Sequence, residues 1–277
     1  MNPDWQNNFF LVLFAAATLH GLYLMVIIAM RARKEPNQLW LCLALFGISS
    51  LLINYLLFIS GAILQYPHLL NVFIPFIYLT GPAFYLFIRK SVNESFQVGW
   101  VDILHIIPIL LVMWDSSKVI ILPFGDKLQM INGIFDQPRP SILQLLSGNQ
   151  FNLITAAYAL GSIYFLASKI NVTKSKQLAR LIWLKNFSFA FFALLLSSVI
   201  VQIGLLLLNV NGAIMELAIT LLFAVAIHLL GYNVFKNEKS VPWVVSAKYA
   251  TSPLDPLLLI SYKERINVHL RENRPWL

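Results

Sequence analysis

FFLVLFAAATLHGLYLMVIIAM, residues 9–30, runs straight into RARK, residues 31–34. The first stretch has no Asp, Glu, Lys or Arg, and the second has three basic residues in four positions. An α-helix needs about 20 apolar residues to cross the hydrocarbon core of a bilayer. Basic residues are held back on the cytoplasmic side of a membrane. The pair therefore reads as a first transmembrane helix that ends on the inside. The preceding MNPDWQNN has no basic segment, and the apolar run is too long for a signal peptide. A retained first helix with a short translocated tail is expected.

The same pattern recurs along the chain. Predicted spans cover Phe9–Met30, Leu39–Ile63, Leu69–Ile88, Gln97–Trp114, Phe151–Ala167, Phe187–Leu208 and Ala213–Phe235. Overall 58% of residues are hydrophobic and 12% charged, against about a quarter charged in soluble domains. The single cysteine, Cys42, lies inside a span, so neither a disulfide framework nor a zinc site is available. The fold class that follows is an all-α polytopic membrane protein of seven transmembrane helices. Its N-terminus is outside and its C-terminus cytoplasmic, with residues 1–235 as the membrane domain. Residues 236–277 form a cytoplasmic linker and a short juxtamembrane helix.

The fourth span is the weakest. Its uninterrupted apolar part, Ile103–Trp114, is too short to cross alone at 1.5 Å per residue, and Asp102, His105 and Pro108 interrupt its start. Charge argues for it. With seven spans, 17 of the 20 Lys and Arg residues lie on the inside, and only Lys118, Lys127 and Arg139 lie outside. Without the fourth span the division becomes 8 inside and 12 outside, which the positive-inside rule disfavours. The net charge of +8 is thus topological and calls for no nucleic acid. Trp40, Trp100 and Trp183 fall at inner boundaries and Trp114 at an outer one, as an aromatic belt requires. Asp115–Gln150 is the longest outer loop, expected to lie on the membrane surface or cap the outer mouth.

Polar residues within spans are costly and mark candidate sites. Glu216 is the one acidic residue well inside a span, about a turn from the outer end of the seventh helix. Asn54 and Gln202 fall at a similar depth, and Tyr55, Asn71 and Asn152 lie where they can rim the same level. Together these residues are a candidate ligand-binding cluster open to the outside. Asn and Gln also serve as hydrogen-bonding glue between helices, and that reading stands beside the first for Asn54 and Gln202. His20 and His228 share a mid-membrane depth. Two facing histidines can hold haem, but a helical histidine more often makes one structural hydrogen bond, and no cofactor or metal is expected. Gly81-Pro82 interrupts the third helix and reads as a kink or hinge.

Catalytic patterns are missing: no HExxH, GxSxG, Walker loop or GxGxxG occurs. No Asp lies deep in a span, so an enzyme is not expected. Asp102 and His105, three residues apart, read as interfacial.

The tail contains Lys248-Tyr249, then Ser252-Pro-Leu254, then a helical pattern through Leu259, Tyr262, Ile266 and Leu270. Arg274-Pro275-Trp276-Leu277 follows. This resembles the segment just before the DNA-binding domain of AraC-type transcriptional regulators. The likeness is to the subgroup, common in Bacteroidetes, whose N-terminal half spans the membrane several times. Leu79-Thr80-Gly81-Pro82 leading to Tyr85 and Arg89 resembles that subgroup's Gly-Pro helix with a basic end. His105-Ile-Ile-Pro108 resembles its His-x-x-Pro motif, and Gly231-Tyr232 fits the end of its last helix. The resemblance covers nearly the whole chain. It implies a bacterial inner-membrane sensor of an unknown small ligand or membrane signal, with homodimerisation through the tail helix. In such regulators two helix-turn-helix units follow Pro-Trp-Leu. They are not among these 277 residues, so this chain is expected to reach DNA only through a missing C-terminal domain.

Two other readings fit the spans. A small seven-helix transporter is compatible with the Gly-Pro break. It also fits a faint offset repeat of Phe10, Ala15, Ala16, Leu19 and Tyr23 in Phe151, Ala156, Ala157, Leu160 and Tyr164. Its sites, however, would lie at the midplane, and the candidate cluster lies to one side. A membrane enzyme would need an intramembrane acid–base pair that the sequence does not offer.

Overall fold

The computed structural model describes residues 5–32, 38–93, 96–136, 149–170, 175–208 and 217–228. These are helices and short connections, with no strand among the described residues. The chain divides into two compact units, Met1–Lys236 and Asn237–Leu277. Every described residue belongs to the first.

Six helical stretches are long and apolar enough to cross a membrane. Helix α1 (Trp5–Ala32) and helix α2 (Gln38–Ile59) form an antiparallel hairpin. Phe14, early in α1, sets its ring edge against Tyr55, late in α2, at 5.3 Å. Cys42, early in α2, donates to the Met25 carbonyl late in α1 at 3.6 Å. Neither helix carries an Asp, Glu, Lys or Arg through its apolar length, as a membrane-crossing helix requires.

The stretch Pro67–Val92 is built of pieces. A 3-10 turn, Pro67–Leu69, follows the one-turn helix α3 (Ala62–Gln65) and precedes α4 (Ile74–Ile77) and α5 (Thr80–Val92). The irregularity comes at Tyr78 and Leu79, between α4 and α5. Gly81 and Pro82 occupy the first turn of α5, where a missing N–H costs little. Asn71 takes φ 63° in the turn before α4, a left-handed conformation that asparagine accepts better than most residues. Its place is set by backbone geometry.

The fourth span extends further than the sequence pattern suggests. It runs over Trp100–Ile120 as α6 (Trp100–Ile103), a 3-10 turn and α7 (Ile107–Ile120), with Pro108 in the first turn of α7. The helix passes Trp114 and runs to Ile120, with Asp115 and Lys118 paired across one turn at 2.9 Å. Only 6% of its span is buried, against 50% for Pro67–Val92, so it lies at the edge of the bundle. The expected outer loop then contains another helix, α8 (Phe124–Asp136). Ile131 of α8 packs with Ile63 and Leu70 in a small core, flanked by Phe58 and Val119. Residues 61–73 and α8 therefore cap one end of the bundle. Lys127, only 6% exposed, donates to the Ile120 carbonyl at 2.6 Å. A cation there satisfies the last turn of α7.

Helix α9 (Gln150–Ile170) packs against α5 and against α10 (Ser175–Leu207). Phe84 of α5 contacts Phe187 and Phe191 of α10 at 5.6 and 4.6 Å. The seventh predicted span appears as helix α11 (Leu217–His228), shorter than a full crossing over its described part. Its Ile219, Phe223 and Ile227, spaced four apart, are buried, and Phe223 meets Phe151 of α9 at 6.3 Å.

Candidate functional site

The residues singled out from sequence separate into three groups. Of the first group, Asn54 and Tyr55 are half-buried near the end of α2. Gln202 lies near the end of α10, its Oε1 buried with no hydrogen-bond partner among the described residues. Asn152 is buried in the first turn of α9. It donates to Asn149 Oδ1 at 3.2 Å, and its own Oδ1 lacks a partner among the described residues. Glu216 lies outside the described residues. Helix α2 packs chiefly against α1 and α5, whereas α10 packs against α9. Asn54 and Gln202 thus sit on helices with different main neighbours. The buried, unpartnered Gln202 and Asn152 oxygens are nonetheless acceptors in a setting where an unmade hydrogen bond costs about 1–3 kcal/mol.

The second group is a dense polar cluster that the sequence pattern alone marks only as interfacial. Arg89 closes α5 and points its guanidinium at Asp102, whose carboxylate is 5% exposed. Asp102 occupies the third position of α6, and its other oxygen accepts from the Gly99 N–H at 2.9 Å. One carboxylate therefore caps a helix and neutralises an arginine. Phe96 lies under the guanidinium, with Cζ 4.2 Å from the ring centroid, and Lys90 donates to the Phe96 carbonyl at 2.5 Å. Stacking of this kind adds to an arginine's ion pair.

His105 continues the cluster inward. Its Nε2 is 3.9 Å from Asp102 Oδ1, and its Nδ1 is 3.2 Å from the Tyr158 hydroxyl of α9. Tyr85 stands edge-on to His105 at 5.4 Å and 6.1 Å from Tyr158. Tyr158 can come this close because Gly81 has no side chain. A Cβ there would meet Tyr158 Cδ2 at 2.7 Å and Thr155 Cα at 3.2 Å. The Gly81–Arg89 segment and the His105-x-x-Pro108 segment, on consecutive spans, thus share one set of contacts, with α9 as the third wall. The signal for this was Asp102 and His105 at helical spacing opposite a helix that ends in Arg89. Tyr158 could not be anticipated, because only the packing of α9 on α5 brings it in.

The third group is His20 and His228, whose Nδ1 atoms lie 2.8 Å apart. One histidine donates and the other accepts. Among the described residues no three His, Cys, Asp or Glu side chains gather as metal ligands.

In comparisons with protein-family models, curated proteins and solved structures, nothing matches this chain. The functional reading rests on the residues and their geometry.

Proposed function

We propose that the chain is the membrane-embedded sensing module of an AraC-type transcriptional regulator in a bacterial inner membrane. In this reading seven helices cross with the N-terminus outside. A signal on the outer side is passed through the last helix to the tail at 236–277, and a helix-turn-helix domain follows Leu277. What supports it most is the convergence of the resembling motifs. Gly81, Tyr85 and Arg89 of one motif meet His105 of the other through Asp102 and Tyr158.

In this topology the Arg89–Asp102–His105–Tyr158 cluster lies at the inner boundary and ties the third span, the peripheral fourth and the fifth together. It is a fixed strut. In this reading the sensing residues are Glu216, Asn54, Gln202 and Tyr55 at the outer level, with Asn152 at the rim. A ligand shifts such a protein only through unequal affinity for two states, and buried unpartnered oxygens provide that difference when a donor on the ligand reaches them in one state alone.

The deciding experiment is the nucleotide sequence after the codon for Leu277, followed by a reporter assay on the complete regulator. An open frame with two helix-turn-helix units supports the reading, and a stop codon with no such units removes it. In the complete regulator Glu216→Gln, Asn54→Ala and Gln202→Ala are expected to lower the signal response. An unchanged response in all three rejects the outer site.

A further inference from the structure

His20 and His228 have no part in that reading, yet their side chains join α1 to α11. The Nδ1 atoms are 2.8 Å apart and the ring centroids 4.9 Å apart. The approach depends on the neighbouring residue. A Cβ on Gly21 would meet Ser49 Oγ at 2.6 Å and Ile227 Cδ1 at 3.2 Å. So α2 and α11 both close on bare backbone beside His20. Ala17 and Ala224, one turn from the histidines, are fully buried. Small residues of this kind let transmembrane helices approach closely.

Among the described residues of α1, α2, α9 and α11 there is no carboxylate. Residues 9–30 of α1, 38–59 of α2 and 217–228 of α11 contain no Asp, Glu, Lys or Arg. Besides the histidines, their titratable groups are Tyr23 on α1 and Cys42 and Tyr55 on α2. Helix α9, which meets α11 through Phe151 and Phe223, carries Tyr158, Tyr164 and Lys169 and no carboxylate. Of these, Cys42 is turned to the Met25 carbonyl, Tyr158 to His105, and Lys169 lies over the Phe165 ring. None of these four helices offers an anion to a charged imidazole.

A nitrogen–nitrogen hydrogen bond needs one N–H and one lone pair. Two neutral rings satisfy it when they hold opposite tautomers, and a singly protonated pair satisfies it with the shared proton between the rings. A second added proton turns both Nδ1 atoms into donors. The contact then loses its acceptor, and two cations face each other in a setting where even one charge is costly. An unperturbed imidazole gains its proton near neutral pH, and the cost of a second buried charge places this step on the acid side of that range. We propose that His20 and His228 form a proton-binding latch, closed while the pair holds at most one extra proton and opened by the next. Opening frees α11, the helix from which the chain continues into the C-terminal unit. The latch does not depend on the regulator reading or on the outer polar residues.

The test uses the full chain in lipid nanodiscs with Cys42→Ala and spin labels at Leu19→Cys and Val225→Cys. Both positions are exposed, at 67% and 46%. Dipolar spectroscopy at about pH 8 and about pH 4 spans the ordinary imidazole range and reaches below it, where the second proton is expected. A short label separation at the higher pH is expected to lose more than half of its population at the lower pH, reversibly. The pH effect should vanish in His20→Gln/His228→Gln. A separation that ignores pH, or one that changes equally in the double variant, overturns the latch. Nitrogen NMR of the unmutated, 15N-histidine-labelled chain guards against a misfolded variant. One protonated and one unprotonated Nδ1 are expected in the pair at the higher pH and two protonated ones at the lower. Two rings that stay as they are across that range overturn the proposal.

Discussion

Asp102 concentrates several roles in one carboxylate. It neutralises Arg89, accepts the Gly99 N–H and lies 3.9 Å from His105. Removing one partner of a buried ion pair costs more than the pair is worth, because the other charge is left behind. Arg89 keeps some solvent at 27% exposure, which softens that penalty. Asp102→Asn should therefore cost about 1–3 kcal/mol, read as a lower thermal midpoint in detergent. Arg89→Lys should also lower the midpoint, because lysine keeps the charge but cannot stack as a planar fork on Phe96. An Arg89→Lys protein as stable as the parent would show that the ring contact contributes nothing. Lys127 is the second informative residue. Lys127→Met keeps the buried stem and deletes the hydrogen bond to the Ile120 carbonyl. The expected loss is about 1 kcal/mol, confined to α8 and the end of α7. Hydrogen exchange should speed up there and remain unchanged in α1 and α2.

At the scale of elements, the long spans were legible and the short helices were not. Apolar runs such as Phe9–Met30 report a solvent, the bilayer, and the helix follows from it. The one-turn helices α3, α4 and α6 have no periodic signal of their own and exist because of tertiary contacts. Trp114 looks like an end because charged residues follow it, yet the helix continues to Ile120 with Asp115 and Lys118 paired across one turn. Val119 and Ile131 belong to one small core, a link between α7 and α8 that hydropathy alone cannot show. The site was legible in part. Asp102 and His105 were visible as a spaced pair, whereas their role needed Arg89 and Tyr158 from other helices. The α5–α9 contact can be tested through Gly81→Val. The added methyl groups would meet Tyr158 and the Thr155 backbone, and overpacking costs about 1–3 kcal/mol. Tyr158→Leu should relieve only part of this, because Thr155 Cα cannot move away as a side chain can. A Gly81→Val protein of full stability would mean that α5 and α9 are not in close contact.

For the whole molecule, the decisive quantity is the distribution of basic charge over the two ends of the bundle. Arg31, Arg33 and Lys34 follow the apolar run of α1. Arg89 and Lys90 close α5, and Lys169 closes α9. Lys118 and Lys127 stand at the opposite end, the one capped by α8. The peripheral stretch Trp100–Ile120 is what separates these two sets. It is 21 residues long, or about 30 Å at 1.5 Å per residue, enough to cross. If it did not cross, every later helix would reverse, and the basic tail from Lys236 onward would be carried outside against the positive-inside rule. A phosphatase that is active only outside the inner membrane, fused at three points, distinguishes the two topologies. Activity is expected after Leu122 and none after Gln97 or after Lys236. Activity after Lys236 together with silence at Leu122 would remove the fourth span. It would also move the Asn237–Leu277 unit to the side from which no DNA-binding domain can act.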